Sequence, residues 1–403
     1  MTWKPLWIVC ALAAPGCVVG GEVGEAGEDP LLEEIALVNN RPFLNLHGAS
    51  ATWSTDGEVD LDTAFTQDFG SNGRTCITCH TQREGWTISP PLIQLRFELT
   101  DGLDPLFRLV DGANSPLADD STKRKRRAAY SMLLSRGVIR VGIGIPEGAE
   151  FELIAVDDPY GYASAEELSL FRRPLPAANL PFIPRVMWDG RVPGDSSVLP
   201  AALADQASGA TLGHAQALEP PPQEILDEMV GFEIALSNAQ ILDLRAGYLG
   251  DDGARGGPQP ISEMERVAGP FDLFDAWAEL DPYASKSRLV RKRTKARLAI
   301  ARGQDLFNSA TNANGGRCGG CHNVANVGSN LNGTFFDVGV SDGDRRTPDL
   351  PLYTLRNIAT GEIIETTDPG RALITGLWSD VNRFKAPGLR GLAARAPYFH
   401  NGS

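Results

Sequence analysis

Histidine is scarce in this chain: His47, His80, His214, His322 and His400 are the five in 403 residues, and none lies between His80 and His214. Any imidazole chemistry must use these few. Methionine is as rare, with only Met132, Met187, Met229 and Met264 after Met1. Of six cysteines, Cys10 and Cys17 fall within the first twenty residues, so the sequence calls for no framework of structural disulfides. Excess positive charge is also lacking. A formal net charge of -14 argues against a general nucleic-acid binder and suits docking of a basic partner. The 42% hydrophobic and 22% charged content is that of a chain able to bury a core, and the length allows two or three domains.

Four cysteines remain, in Cys76-Ile77-Thr78-Cys79-His80 and Cys318-Gly319-Gly320-Cys321-His322. Two thiols at this spacing can add to the two vinyl groups of one porphyrin, and the adjacent His then turns its imidazole onto the iron. One such pentapeptide also fits a redox dithiol or half of a zinc site. Four thiolates around one zinc would leave both histidines without a role, and the pairs stand 242 positions apart (318 minus 76). The doubled motif reads as two covalently attached haem c groups. Cys76, Cys79, Cys318 and Cys321 are the attachment residues, and His80 and His322 the iron ligands.

Lys4, the apolar run Leu6 to Ala14 and Ala14-Pro15-Gly16-Cys17 have the layout of a secretory signal over residues 1–17. The run is too short to span a membrane. Small residues before Cys17 give the lipoprotein form of the signal, with simple secretion as the other reading. Export to the periplasm or outer envelope agrees with haem c attachment outside the cytoplasm. Residues 18–40 read as a flexible acidic tether, 41–285 as an amino-terminal haem domain with an insertion, and 286–403 as a carboxy-terminal haem domain. Loops and short helices are expected from Asn39 to Gly73, a small β-hairpin from Val138 to Val156, a helix and then a break over Glu224 to Leu244, a basic amphipathic helix from Lys286 to Phe307, and loops from Val338 to Thr375. The basic run Lys123 to Arg127 is either a solvated helix start or a partner for haem propionates.

Phe384-Lys385-Ala386-Pro387-Gly388-Leu389-Arg390-Gly391, followed by Ala396-Pro397-Tyr398-Phe399-His400-Asn401-Gly402-Ser403, resembles the bacterial di-haem cytochrome c peroxidase family, which places a Trp-Asp-Gly-Arg segment such as Trp188 to Arg191 between its two haem motifs. The resemblance covers roughly residues 60 to 403, less the stretch from about 130 to 175. It implies a mainly α chain of two cytochrome c-type domains, to the first of which the Val138 to Val156 pattern adds a small β-containing insertion. It also implies a reactive amino-terminal haem, a relay haem at His322 and Trp188 as the bridge between them. The other reading of Trp188 is a core aromatic beside an Asp-Gly turn. His400 is implied to lie near the second haem, and otherwise reads as a hydrogen-bonded loop histidine.

In the family a Gln follows the Trp segment, with a catalytic Glu ten residues later. Gln206 fits the first position and Gln216, an amide unable to exchange a proton as a carboxyl does, falls at the second. His214 is the nearby titratable substitute, as acid/base, as haem ligand, or as an ordinary histidine. Sixth ligands must come from His47, His214, His400 or the methionines, or be absent. A calcium site is not supported, since Arg173 or Pro174 stands at the Asn ligand position, and the family's Met ligand would lie beyond Ser403, as in a chain lacking a last helix. The expected function is a peroxidase-like oxidoreductase acting on hydrogen peroxide with a small redox protein as partner. A non-catalytic electron carrier and an oxidant of a partner protein's side chains are the alternatives.

Overall fold

Two helices, Leu199–Gly213 and Gln223–Ala235, pack together beside the first Cys-x-x-Cys-His turn and carry one wall of a deep cavity. Their buried faces follow helical spacing: Leu199, Leu203 and Ala207 on one, Leu226, Met229 and Val230 on the other. The computed structural model describes residues 36–193, 198–311 and 315–403. The signal segment, the Cys17 lipidation site and most of the tether lie outside the described residues. No helix among the described residues is long and apolar enough to cross a membrane.

The expectation of a mainly α chain is overturned. Helix accounts for 30% and strand for 19%, arranged in several sheets. The strands come where the spacing is ambiguous. Instead of breaking after Ala235, the chain passes from helix into the strand Leu236–Asp243, which pairs antiparallel with Gly48–Ser54. Asn238 fixes this switch: its backbone N–H donates to Asn179 Oδ1 at 3.0 Å and its side chain donates to the Ala51 carbonyl at 2.9 Å. Ala49, Ser50 and Ala51 are fully buried, so their strand is covered on both faces and shows no polar–apolar alternation.

The expected hairpin from Val138 to Val156 is also corrected. Ile139–Ile143 pairs with Leu168–Arg172, and Phe151–Asp157 pairs with Leu352–Asn357, which itself hairpins with Ile363–Thr366. Ile145 donates its N–H to the Ala165 carbonyl at 2.9 Å, and Gly144 lies so close to Glu166 that a Cβ would meet the Glu166 carbonyl oxygen at 2.3 Å. Those contacts turn the first strand toward Leu168 and away from Phe151. The segment 352–366, expected as loop, thus closes a sheet with the first half of the chain. Tyr353 ties the two pairs together, its hydroxyl donating to the Ser169 carbonyl at 2.8 Å.

The basic helix is present as Arg288–Ser309, capped by Ser287. Lys123–Ala129 begins a helix capped by Thr122, and Lys123, Lys125 and Arg127 pair with Glu98, Asp101 and Asp119, all solvent-facing. That is the solvated helix start.

Candidate functional site

Both Cys-x-x-Cys-His motifs form a single tight turn. In the first, Cys76–Thr78 makes a 3-10 turn, Thr75 N–H donates to Thr78 Oγ1 at 3.0 Å, and His80 N–H donates to the Cys76 carbonyl at 3.0 Å. In the second, Cys318–Cys321 makes a short helical turn and His322 N–H donates to the Cys318 carbonyl at 3.0 Å. All four thiols are free. Burial pushes the Cys76 thiol up to about 12 and the Cys79 thiol up to about 11, so both are protonated at neutral pH.

The two histidines are held alike. His80 Nδ1 donates to the carbonyl of Trp86 at 3.0 Å, and His322 Nδ1 to the carbonyl of Gly328 at 2.6 Å. Each acceptor stands six positions after its histidine, and each adopts a left-handed backbone, φ +64 at Trp86 and +69 at Gly328. The left-handed turn aims the carbonyl back at the ring. It places the proton on Nδ1 and leaves Nε2 as the unprotonated nitrogen of the neutral ring, the tautomer that a metal-bound imidazole requires, while a second backbone carbonyl, of Leu175 for His80 and of Pro387 for His322, also acts on each ring. Burial holds both imidazoles below the usual histidine range, so they are neutral.

Trp86 is fully buried and locked by two further contacts. Its Nε1 donates to Thr52 Oγ1 at 2.9 Å, and its ring meets Phe65 and Phe232 at centroid distances of 6.2 and 5.5 Å. A bulky aromatic in left-handed conformation costs about 1–2 kcal/mol. The packing offsets that strain.

The first motif opens into a cavity of about 1440 Å³ including its mouth, and the second into one of about 1240 Å³. Arg173, Pro174, Leu175, Pro176 and Trp188 belong to the walls of both. Trp188 therefore stands between the two motifs. Its Nε1 donates to the Arg173 carbonyl at 2.8 Å, and its carbonyl accepts from Lys385 N–H at 3.0 Å. Asp189, wholly buried, receives Arg172 Nη1 at 2.6 Å and Arg191 Nη1 at 2.8 Å, while Arg172 grips Asp368 with two further bonds of 2.7 and 2.8 Å. Gly190 turns the chain at φ +64 under the Phe335 ring, where a Cβ would meet Cζ at 2.2 Å. This buried ion cluster fixes the Trp188 loop to both halves of the chain.

Around the first cavity, Gln206 and His214 both line the wall. His214 caps the Leu199–Gly213 helix and pairs through Nδ1 with Asp111, which also binds Arg74. Met187 and Met229 line the same cavity. Gln216 does not: it sits in an exposed turn at φ +55, its side-chain oxygen accepting from Asn72 at 3.2 Å. His47 is exposed in a loop, Met264 is half-buried away from both cavities, and Met132 packs with Val138 and Phe171. His400 lines the second cavity, stacked on Phe384 at 4.0 Å. Burial lowers it to about 4, so it is neutral there.

Three features escape a reading of the sequence. Glu233, 9% exposed, lines the first cavity near Cys76 with its pKa pushed by burial up to about 8. It follows Met229 by four positions on the apolar face of a helix, the one sequence signal that could have found it. Asp111, which orients His214, comes from a turn cluster with no mark of function. The second cavity has Arg173, Lys385 and Arg395 in its wall and, among the described residues, no carboxylate. Burial holds Lys385 down to about 7, and Arg395 Nε is buried without a hydrogen-bond partner. Such a wall calls for an apolar group that brings its own negative charge.

Arg173, at the position considered for calcium, donates to the carbonyls of Arg136, Ile88 and Arg395. No group of three or more His, Cys, Asp or Glu side chains among the described residues is placed to hold a metal ion. No protein-family model and no curated protein matches the sequence.

Proposed function

We propose that the chain is an exported di-haem c oxidoreductase, peroxidase-like, with one haem on Cys76, Cys79 and His80 and the other on Cys318, Cys321 and His322. The observation that carries this is the repeated turn. Each motif carries two free thiols and an imidazole held by a left-handed carbonyl six residues on; Cys76, Cys79 and His80 line the first cavity, and Cys321 and His322 line the second with Cys318 exposed at its edge. The residues fit the group: an apolar porphyrin plane answers the apolar walls, and in the second cavity Arg395, whose Nε is buried without a partner, could answer a porphyrin carboxylate, whereas Arg173 and Lys385 already donate to backbone carbonyls.

When bound, haem would supply one-electron chemistry at two irons. The chain's residues then divide the work. Trp188, in both walls, lies on the route between the motifs. His214, held by Asp111 through Nδ1, lines the first cavity as a side chain available for acid/base work, and Gln206 can donate a hydrogen bond there. Gln216 takes no part, because its side chain lies outside the cavity.

The rival reading, a non-catalytic electron carrier, is favoured by one observation: His214, Met187 and Met229 all line the first cavity and could each complete an iron's coordination. Electron paramagnetic resonance of the full-length protein, oxidised and half-reduced, separates the two. A high-spin ferric signal at either poise is expected. Two low-spin haems at both would overturn the peroxidase reading in favour of the carrier.

A further inference from the structure

From Arg288 to Gln304 every charged side chain of the long helix is basic, in a chain whose net charge is -14. At roughly 100° per residue, Arg288, Arg291, Lys292, Lys295 and Arg302 fall within about 100° of arc. The opposite face, Arg297, Ala301 and Gln304, is buried, and Arg297 there is paired with Asp251 and Asp252. The five stripe cations have no ion-pair partner among the described residues, although Lys295 lies over the Tyr283 ring at 5.6 Å. Like charges one turn apart, such as Arg288 with Lys292 and Arg291 with Lys295, destabilise a helix. A solvated helix face needs no such row, and the rest of the surface offers acid enough to pair it.

The stripe leads somewhere. Leu306 continues it and is 62% exposed, Phe307 then packs 6.4 Å from the His322 ring, and Cys318 is exposed beside them. Arg288 to Phe307 spans about 29 Å of helix. A transient electron-transfer interface of up to about 600 Å² per partner is a patch roughly 28 Å across, so one small protein can cover the stripe and the edge of the second motif together.

We infer that the Arg288–Arg302 stripe, with Leu306 at its end, docks an acidic one-electron carrier protein at the second motif. Charge complementarity selects the partner's sign, and it is the reverse of what the net charge of the whole chain suggests. An anionic membrane surface suits the stripe less well, because Leu306 is its only large apolar side chain and an interfacial helix needs a continuous apolar face. The inference rests on the haem reading for its electron transfer, but docking itself is a property of the surface.

Two measurements on the full-length protein keep these apart. The first is a titration of a ¹⁵N-labelled acidic carrier, followed by its chemical shifts, against wild type and against the variant carrying Arg288→Glu, Arg291→Glu, Lys292→Glu and Lys295→Glu. The second is the stopped-flow rate of electron transfer from the reduced acidic carrier, compared with a basic carrier, between about 10 and 150 mM salt, where the Debye length falls from about 30 to about 8 Å. With wild type, binding and rate for the acidic carrier should fall with salt. With the variant the rate should drop about tenfold or more and the basic carrier become the better partner. Carrier binding without electron transfer in a chain free of haem would overturn the haem reading while upholding the docking surface. Wild type and variant binding the acidic carrier equally would overturn the docking surface, as would loss only of binding to anionic phosphatidylglycerol vesicles.

Discussion

Glu233 is the residue whose behaviour departs most from its type. Its carboxyl is buried against the first cavity, and burial lifts it to about 8 from an unfolded value near 4.5. Because the folded value is the higher, the stability tied to this group is fully present below about pH 4.5. It is lost as pH rises toward 8, where the unfolded chain ionises and the folded one resists. Glu233→Gln removes that dependence. Thermal or urea unfolding should show the variant gaining on wild type between pH 5 and 8, by on the order of 3 kcal/mol. Parallel pH profiles for the two proteins would show that Glu233 is solvated instead. Trp86 makes the complementary point at the same scale. Its left-handed backbone is invisible in sequence, yet it is what turns a carbonyl onto His80.

At the scale of elements, the His322 turn offers the sharper experiment, because Gly328 does with no side chain what Trp86 does under strain. A Cβ at Gly328 would meet Phe271 Cζ at 3.0 Å and Leu389 Cδ1 at 3.1 Å, in a left-handed conformation. Gly328→Val should cost roughly 1–3 kcal/mol and loosen the His322 ring. The check is chemical unfolding together with the absorption band of the haem proposed at Cys318 and Cys321; an unchanged band and midpoint would separate the carbonyl from ligand orientation.

Some elements are plain in the sequence and others hidden, each for a physical reason. The Arg288–Ser309 helix is legible because its buried face repeats at helical spacing. The Leu236–Asp243 strand is not, because Ile241 and Leu242 extend the apolar spacing of the preceding helix, and the switch depends on Asn179 and Asn238 meeting across 59 positions. The Phe151–Asp157 strand is recognisable as a strand but its neighbour is not, since its partner begins at Leu352 and no local signal carries that pairing. In the site, the Cys and His residues and Trp188 can be named from motifs. Gln216 is reached by counting along the chain, and the turn at its position carries the side chain out of the cavity.

Across the whole molecule, the two Cys-x-x-Cys-His turns open into cavities that share a wall containing Trp188. The Arg172, Asp189 and Asp368 cluster holds that wall, so removing one partner, as in Arg172→Leu, should leave buried carboxylates unpaired and destabilise the fold by about 3–5 kcal/mol in urea unfolding. The central proposal is that haem is attached at both turns. The direct measurement is intact-protein mass with a pyridine haemochrome assay on protein exported in a host that attaches haem c. Two haems per chain are predicted for wild type, and one for the variant carrying Cys76→Ala and Cys79→Ala. A wild-type mass without haem, its four motif thiols open to alkylation, would contradict the account.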